Sequence, residues 1–181
     1  MKVGLVRHFK VKQAYPSGRV SAREVEQWFR EYDQADIEEG HTDLGGIEWS
    51  RCYSSDMTRA VRTAEIIYGP DIEKMPELRE IPAPTFTTSR KFPLLVWALL
   101  IRLSWLFHAP TRQDIHAAKA RIGEFLDQAL SRNEGNNVLI VSHGALMKYI
   151  RKELIARGYR GPNFGHPKNG KLYTFEKPRA T

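Results

Sequence analysis

Short apolar runs alternate with longer amphipathic segments along the chain. Strands are predicted at residues 3–7, 51–54, 72–75, 138–142 and 172–175, with helical patterns between most of them. Such alternation is typical of a mainly parallel sheet covered by helices on both faces. We therefore expect an α/β fold, a three-layer αβα sandwich, as a single domain over residues 1–181.

Two amphipathic helices are predicted from their capping patterns. Ser21 and Glu24 form a capping box, followed by apolar residues at helical spacing. Thr111 and Asp114 repeat the pattern before a longer apolar series, for which Gly135 supplies the stop. The apolar positions of the first helix are Val25, Trp28, Phe29 and Tyr32, and those of the second are Ile115, Ala118, Ile122, Leu126 and Ala129.

Residues 92–107 are almost wholly apolar, interrupted by Arg102 and Ser104. The stretch is shorter than the roughly 20 residues that span a bilayer, so no membrane span is expected. A buried or half-buried helix with Pro93 in its first turn is the simplest interpretation. A lid over an apolar substrate, an interfacial membrane contact and a homodimer face are alternatives.

Composition narrows the classes of protein further. The length of 181 residues and the hydrophobic content of 41% suffice for one well-buried core. The formal net charge of +7 favours anionic partners such as phosphate esters, nucleic acid or an acidic membrane surface. The single cysteine, Cys52, can form no internal disulfide and is expected to be buried. No secretory signal pattern follows Met1, and a cytoplasmic location is predicted.

Polar side chains stand where several predicted strands end. Arg7 and His8 follow the first strand, and His143 follows the fourth. Arg59 lies in the first turn of the helix after the second strand, where free backbone N–H groups favour a phosphate. Parallel strands deliver their carboxyl ends to one crevice, so these four side chains are predicted to meet there. Arg62, three residues further on, is expected to be a solvated helix residue.

A carboxyl group close to the third strand is a candidate general acid. Glu80 is surrounded in the sequence by Leu78, Ile81 and Pro82, and such apolar neighbours are expected to favour its proton-carrying form. Glu77 is a competing candidate, and the sequence pattern does not separate the two.

Four of these segments resemble the motifs of the histidine phosphatase superfamily, the phosphoglycerate mutase-like fold. Arg7-His8 matches the family's Arg-His-Gly signature, with Phe9 in place of the glycine. Residues 54–64 match Ser-Ser-x-x-x-Arg-Ala-x-x-Thr-Ala. Leu78-Arg79-Glu80 matches the Leu-x-Glu acid motif, and Ser142-His143-Gly144 matches the second-histidine motif. The segments follow the family's order from residue 3 to about residue 157.

The resemblance implies a reaction and a role for each residue. His8 would attack phosphorus and form a phosphohistidine, Arg7, Arg59 and His143 would stabilise the phosphoryl oxygens, and Glu80 would protonate the leaving oxygen. No metal or cofactor is implied, since cationic side chains replace magnesium. The leading hypothesis is a metal-independent phosphatase acting on phosphomonoesters. Phosphoglycerate mutase-type phosphotransfer is the enzymatic alternative, and a catalytically weak protein that binds phosphorylated ligands is the non-enzymatic one.

Two departures from the family pattern bear on the substrate. Phe9 has less backbone freedom than glycine, and Lys10, Lys12 and Ser17 are candidate accessory contacts to phosphate or to a second anionic group. Ordinary loop charge is the alternative for the two lysines.

The second departure is the apolar helical insert after Glu80, at about residues 82–110. The resemblance implies that this insert forms a cap over the pocket. Its apolar side chains are hypothesised to favour a small phosphate ester with a bulky apolar body, or a phosphoprotein. We expect no nucleic-acid partner, because no recognition motif is present. The side chains meant are Leu95, Trp97, Trp105 and Phe107.

Overall fold

A five-stranded sheet forms the centre of the fold in the computed structural model, which describes residues 1–178. The strands, in chain order, are β1 (Lys2–Arg7), β2 (Arg19–Val20), β3 (Arg51–Ser55), β4 (Ile72–Met75), β5 (Phe92–Pro93), β6 (Val138–Ser142) and β7 (Leu172–Glu176). The central sheet has the order β4-β3-β6-β1-β7, in which only β7 is antiparallel to its neighbour. Strands β2 and β5 form a separate antiparallel pair.

Helices cover both faces of the central sheet. They are α1 (Ala22–Gln34), α2 (Thr58–Ile67), α3 (Leu94–Phe107), α4 (Ala109–Arg132) and α5 (Gly144–Ala156), with a 3-10 turn at Pro76–Leu78. On one face, side chains of α4 and α5 pack against β1, β3, β6 and β7 in the larger core. On the other face, Ala60 and Ala64 of α2 pack with Trp49 against alternate residues of the same strands. The expected three-layer α/β fold is confirmed.

The five strands predicted for the central sheet are present, to within one residue at each end. Strand β6 is buried along its whole length, because both of its faces are covered by helices. Cys52 of β3 is fully buried as expected, and burial raises the pKa of its thiol to about 12.

One of the two capping patterns is confirmed and the other is wrong. The Glu24 N–H donates to Ser21 Oγ (3.3 Å), and the Ser21 N–H donates to the Glu24 carboxylate (2.7 Å), at the start of α1. Helix α4, however, begins at Ala109, so Thr111 is a buried residue of the first turn rather than a cap. Pro110 explains the earlier start, because its fixed φ favours the first turn of a helix.

The apolar stretch forms α3, a half-buried helix as the simplest interpretation expected. Trp97 is fully buried and donates from Nε1 to the Val20 carbonyl (2.9 Å), whereas Leu95, Leu106 and Phe107 are 84%, 63% and 77% exposed. In residues 1–178, no single helix is long and apolar enough to cross a membrane. Helices α3 and α4 reach that length and composition only together, and they meet at a bend of 73°.

Candidate active site

The carboxyl ends of β1 and β6 bring two histidines together. Arg7 pairs with Ser142 in the parallel register, and the His8 N–H donates to the Ser142 carbonyl (3.0 Å). The rings of His8 and His143 consequently lie 5.2 Å apart between centroids. A pocket with a cavity volume of about 290 Å³ opens here, and its charged or titratable lining residues are Arg7, His8, Tyr15, Tyr32, Asp33, Arg59 and Glu80.

His8 is held as a neutral imidazole. It is only 2% exposed, and burial, followed by the charge of Arg59, lowers its pKa from 6.5 to about 3. Its Nδ1 lies 2.6 Å from the Phe9 carbonyl oxygen, which can only accept, so Nδ1 carries the proton. In that tautomer Nε2 keeps its lone pair, as a nucleophile requires.

Phe9 lies outside the pocket, in a small core with Val11 and Ile37. Its N–H donates to Thr63 Oγ1 (2.9 Å), and its ring packs against Gly170, where a β-carbon would approach the ring to 2.6 Å. No non-glycine residue among those described has a positive φ, so Phe9 adopts ordinary backbone geometry. Position 9 therefore does not require the backbone freedom of glycine.

His143 is completely buried beside His8 and shares a hydrogen bond with Ser55. The distance from its Nε2 to Ser55 Oγ is 2.8 Å, and Nδ1 has no partner among residues 1–178. Burial, together with the charges of Arg59, His8 and other nearby groups, holds the pKa of His143 well below its usual value. Both histidines are thus neutral in the resting site.

Arg7 reaches the site by passing over the first residue of α5. A β-carbon on Gly144 would lie 3.2 Å from Arg7 Cζ, so the guanidinium group fits because this residue is glycine. Arg7 Nη1 donates to the Pro167 carbonyl and to Nε2 of His166, both at 3.1 Å. Within residues 1–178, no carboxylate forms an ion pair with Arg7.

Arg59 occupies the first turn of α2, as the sequence predicts. It is 3% exposed, and its Nη1 donates to Asp33 of α1 (2.8 Å). Its guanidinium group also lies 5.1 Å from the centroid of the Tyr32 ring. Met57 precedes the helix without a side-chain cap, and Ser55 Oγ contacts His143. Asp56 pairs with Arg79.

Glu80 lines the pocket, whereas Glu77 lies in the 3-10 turn and does not. The Glu80 carboxylate accepts from the N–H groups of Ala145 and Leu146 (3.0 Å each) at the N-terminus of α5, and from its own neighbour Ile81 (3.1 Å). The expected apolar surroundings of this carboxyl group are therefore wrong. Three N–H donors and the positive end of a helix dipole face it instead.

The candidate accessory residues lie outside the pocket. Lys10 pairs with Glu38 (2.8 Å), Lys12 lies 3.7 Å from Asp36, and Ser17 is exposed on the following loop. Attraction to these carboxylates directs the lysines away from His8, which supports the interpretation as loop charge. Arg62 also pairs with acidic residues at the surface, as expected of a solvated helix residue.

An aromatic wall also lines the pocket, and it comes from α1 and from the loop between β1 and β2 rather than from the insert. Its members Tyr15, Trp28, Phe29 and Tyr32 all line the pocket. The side chains that the sequence suggested for this wall are elsewhere: Trp97 is buried in a separate core, Trp105 packs against the main core, and Leu95 and Phe107 are exposed. Residues Ile81, Pro82 and Ala83 complete the apolar lining.

No three histidine, cysteine, aspartate or glutamate side chains are grouped so as to hold a metal ion in the part of the chain that the structure describes. The four remaining histidines, at positions 41, 108, 116 and 166, are dispersed in the sequence. Metal independence stays a prediction.

The arrangement of these residues agrees with a comparison of the sequence with protein families. The histidine phosphatase superfamily (branch 1) matches over residues 16–177. The chain belongs to this superfamily. The match begins after Arg7 and His8, so these two residues are assigned from their position at the end of β1 and from their contacts. No curated protein matches the chain significantly.

Solved structures of superfamily members have a similar fold. The alpha-ribazole phosphatase of Shigella flexneri is 18% identical with a TM-score of 0.57, and the match covers 99% of this chain and 92% of that one. A phosphoserine phosphatase of Entamoeba histolytica is 20% identical (TM-score 0.52, 98% of both chains covered). The phosphoglycerate mutase of Bacillus anthracis is also 20% identical (TM-score 0.52, 98% and 92% covered). At these identities the comparison shows a common fold.

Four polar residues of this candidate site were not assigned to it from the sequence. Ser55 contacts His143, Asp33 contacts Arg59, His166 contacts Arg7, and Asn169 donates to the His8 carbonyl (2.7 Å). Ser55 stands in a family motif and could have been assigned, whereas Asp33 is one of many acidic residues on a solvated helix face. His166 and Asn169 belong to an irregular loop with no periodic signal.

Proposed function

We propose that the chain is a phosphatase that hydrolyses phosphomonoesters through a phosphohistidine on His8. The observation that carries the proposal is a buried imidazole in a pocket that also contains two guanidinium groups. The Nδ1–H of this imidazole donates to the Phe9 carbonyl, and burial lowers its pKa to about 3. A lone pair on Nε2 beside Arg7 and Arg59 suits attack on an anionic phosphorus centre. Membership in the histidine phosphatase superfamily supports phosphoryl transfer as the reaction class.

The reaction proceeds in two displacements. Nε2 of His8 attacks phosphorus, the bond between phosphorus and the ester oxygen breaks, and the departing oxygen takes a proton from Glu80. This step requires Glu80 to carry a proton when the substrate binds, even though three N–H groups donate to its carboxyl group. Water then gives a proton to the Glu80 carboxylate and attacks phosphorus, which breaks the P–N bond and releases phosphate. Arg7, Arg59 and an N–H of His143 stabilise the charge on the phosphoryl oxygens in both steps.

The lining of the pocket favours hydrolysis over phosphoglycerate mutase-type transfer. A mutase must hold a small, strongly anionic substrate and reorient it, which requires polar contacts on several sides. Beyond the charged groups, the pocket offers the hydroxyl groups of Tyr15 and Tyr32, and its other lining residues are apolar: Trp28, Phe29, Met57, Ile81, Pro82 and Ala83. The ordinary backbone geometry of Phe9 argues against the catalytically weak binding protein. That alternative depended partly on the presence of Phe9 where the family has glycine.

Hydrolysis of p-nitrophenyl phosphate in the presence of EDTA tests the proposal. Native protein should turn over, and His8→Ala should lower kcat by about 10³-fold or more, because the nucleophile is lost. His116→Ala is the matched control, since His116 is exposed on α4. A native reaction that stops in EDTA would contradict metal independence, and equal rates in both variants would exclude His8 as the nucleophile.

Transfer and binding are separated by two further measurements. Interconversion of phosphoglycerates without release of phosphate would favour the mutase alternative, and phosphate binding without turnover would favour the binding protein. A cytoplasmic location, a homodimer and a phosphoprotein substrate are predictions that the site geometry leaves open.

A further inference from the structure

A second cavity adjoins the proposed phosphate site and lies between α1 and α3. We call it the apolar groove; it has a volume of about 240 Å³, and every residue that lines it is uncharged. An apolar cavity of about 150 Å³ can hold benzene, so the groove is large enough for a ring or a folded alkyl chain. It is lined by Tyr15, Pro16, Val25, Trp28, Phe29, Leu94, Leu95, Trp97, Ala98 and Ile101.

The apolar groove lies next to the pocket at His8, because the two cavities share three aromatic lining residues. Tyr15, Trp28 and Phe29 line both cavities. Tyr15 stacks on Trp28 with ring centroids 5.3 Å apart and planes inclined by 22°. Trp28 Nε1 donates to the Ala14 carbonyl (2.7 Å), which fixes the loop that carries Tyr15 against α1. A ligand that extended from the charged pocket into the groove would pass over these aromatic rings.

The two cavities differ in chemistry. The pocket at His8 presents the cations Arg7 and Arg59, whereas the apolar groove presents only uncharged side chains. Leu95 at the rim of the groove is 84% exposed, although it is a large apolar residue. A ligand that covers Leu95 would remove this surface from water, which is favourable by the hydrophobic effect. The layout matches an amphiphile with an anionic head and an apolar body.

We propose that the apolar groove binds the apolar body of the substrate, so that the preferred substrates are phosphate monoesters of apolar alcohols with a chain of several carbons. This inference rests on the proposed phosphatase function and adds the class of alcohol. The phosphate lies between Arg7 and Arg59 at His8, and the chain runs over Trp28 toward Leu95. The groove is formed in part by α3, so the insert contributes to specificity through the side of the helix that faces α1.

A homologous series of alkyl phosphates tests the inference. We expect kcat/KM to rise about threefold to fourfold for each added methylene between ethyl, butyl and hexyl phosphate, because each buried methylene contributes hydrophobic free energy. The series is measured below the concentrations at which the esters form micelles. The rise should stop once the groove is filled.

Two variants on α3 locate the effect. Leu95→Ser should lower the ratio of kcat/KM for hexyl phosphate to that for ethyl phosphate by about fivefold, because it removes apolar contact from the groove. Leu106→Ser is the matched control, since Leu106 is 63% exposed on the same helix and does not line the groove. It should leave the ratio unchanged.

The outcomes separate this inference from the proposal on which it rests. If ethyl and hexyl phosphate are hydrolysed with equal kcat/KM, the groove is not a substrate subsite, although the phosphatase activity stands. If neither the alkyl phosphates nor p-nitrophenyl phosphate is hydrolysed, the inference and the proposed phosphatase function are both overturned. If Leu95→Ser changes the fraction of dimer in size-exclusion chromatography and leaves the ratio unchanged, the groove binds a second copy of the chain and the inference is wrong.

Discussion

Replacing His8 by asparagine should change how the stability of the fold depends on pH. In the folded chain, burial and then the charge of Arg59 lower the pKa of His8 from 6.5 to about 3. The unfolded chain exposes the ring to water, so it binds more protons than the folded chain between these two pH values. His8 therefore destabilises the fold as the pH falls through 6.5 toward 3.

The size of this effect follows from the two pKa values. A histidine that titrates near 6.5 when unfolded and stays neutral when folded lowers the free energy of unfolding by about 2 kcal/mol between pH 7 and pH 5. Between pH 7 and pH 5, the free energy of unfolding of His8→Asn should therefore fall by about 2 kcal/mol less than that of the native protein. His143 acts in the same direction, because its pKa is also lowered, but it is present in both proteins.

Urea unfolding followed by tryptophan fluorescence at pH 7 and pH 5 measures the difference. Any constant destabilisation caused by the lost contact with Phe9 cancels, because only the change with pH is compared. His116→Asn, at an exposed position, should behave as the native protein does. If the native protein and His8→Asn differ by the same free energy at both pH values, His8 is not held neutral by the fold and the reasoning is refuted.

Two further substitutions test contacts around the second histidine and the first arginine. Ser55→Ala removes the partner of His143 Nε2 and should lower kcat with p-nitrophenyl phosphate about tenfold, because a hydrogen bond of about 1.4 kcal/mol no longer fixes the ring; an unchanged kcat would show that Ser55 does not position it. Gly144→Ala places a β-carbon 3.2 Å from Arg7 Cζ and should weaken inhibition by inorganic phosphate about tenfold, because the guanidinium group must move. Gly123→Ala is the control, since its β-carbon meets its nearest neighbour beyond the helix's own backbone at 4.0 Å, and it should leave the inhibition unchanged. Equal inhibition constants for the two variants would contradict the steric argument.

Elements whose signal is local could be predicted from the sequence. Strand β6 is a continuous buried run, and α1 has both a capping box and a helical apolar period. The pairing of β2 with β5 was not predicted, because each strand has two residues and the pair joins segments far apart in the chain. The start of α4 was misplaced because Pro110 outweighed the capping pattern at Thr111.

The candidate site was predictable to the extent that strand ends determine it. Arg7, His8 and His143 meet because β1 and β6 are parallel neighbours. The alternating pattern implies parallel strands, but it does not give their order in the sheet. The partners of these residues could not be found in the same way. His166 and Asn169 reach the site from an irregular loop, and their contacts depend on a fold of that loop that no periodicity encodes.

The source of the aromatic wall shows a further limit of sequence reasoning. The insert has the higher density of apolar residues, and its side chains were hypothesised to shape the substrate pocket. Trp97 is instead buried in a core with Val20 and Val25 and lines only the apolar groove, whereas Trp28 and Phe29 of α1 line the pocket at His8. Hydrophobic density predicts burial, but it does not indicate which cavity a side chain lines.

The charges at the site link the resting state to the proposed reaction. Arg7 and Arg59 disfavour a second positive charge nearby, which is one reason that His8 and His143 stay neutral. The guanidinium group of Arg7 is available to an anion, since it has no carboxylate partner among residues 1–178, whereas Arg59 is paired with Asp33. A bound phosphate would offset the charge of the two arginines, and His8 would then gain a proton more readily. The fold therefore makes the nucleophile available before the substrate arrives, when the arginines act on His8 without the charge of a bound phosphate.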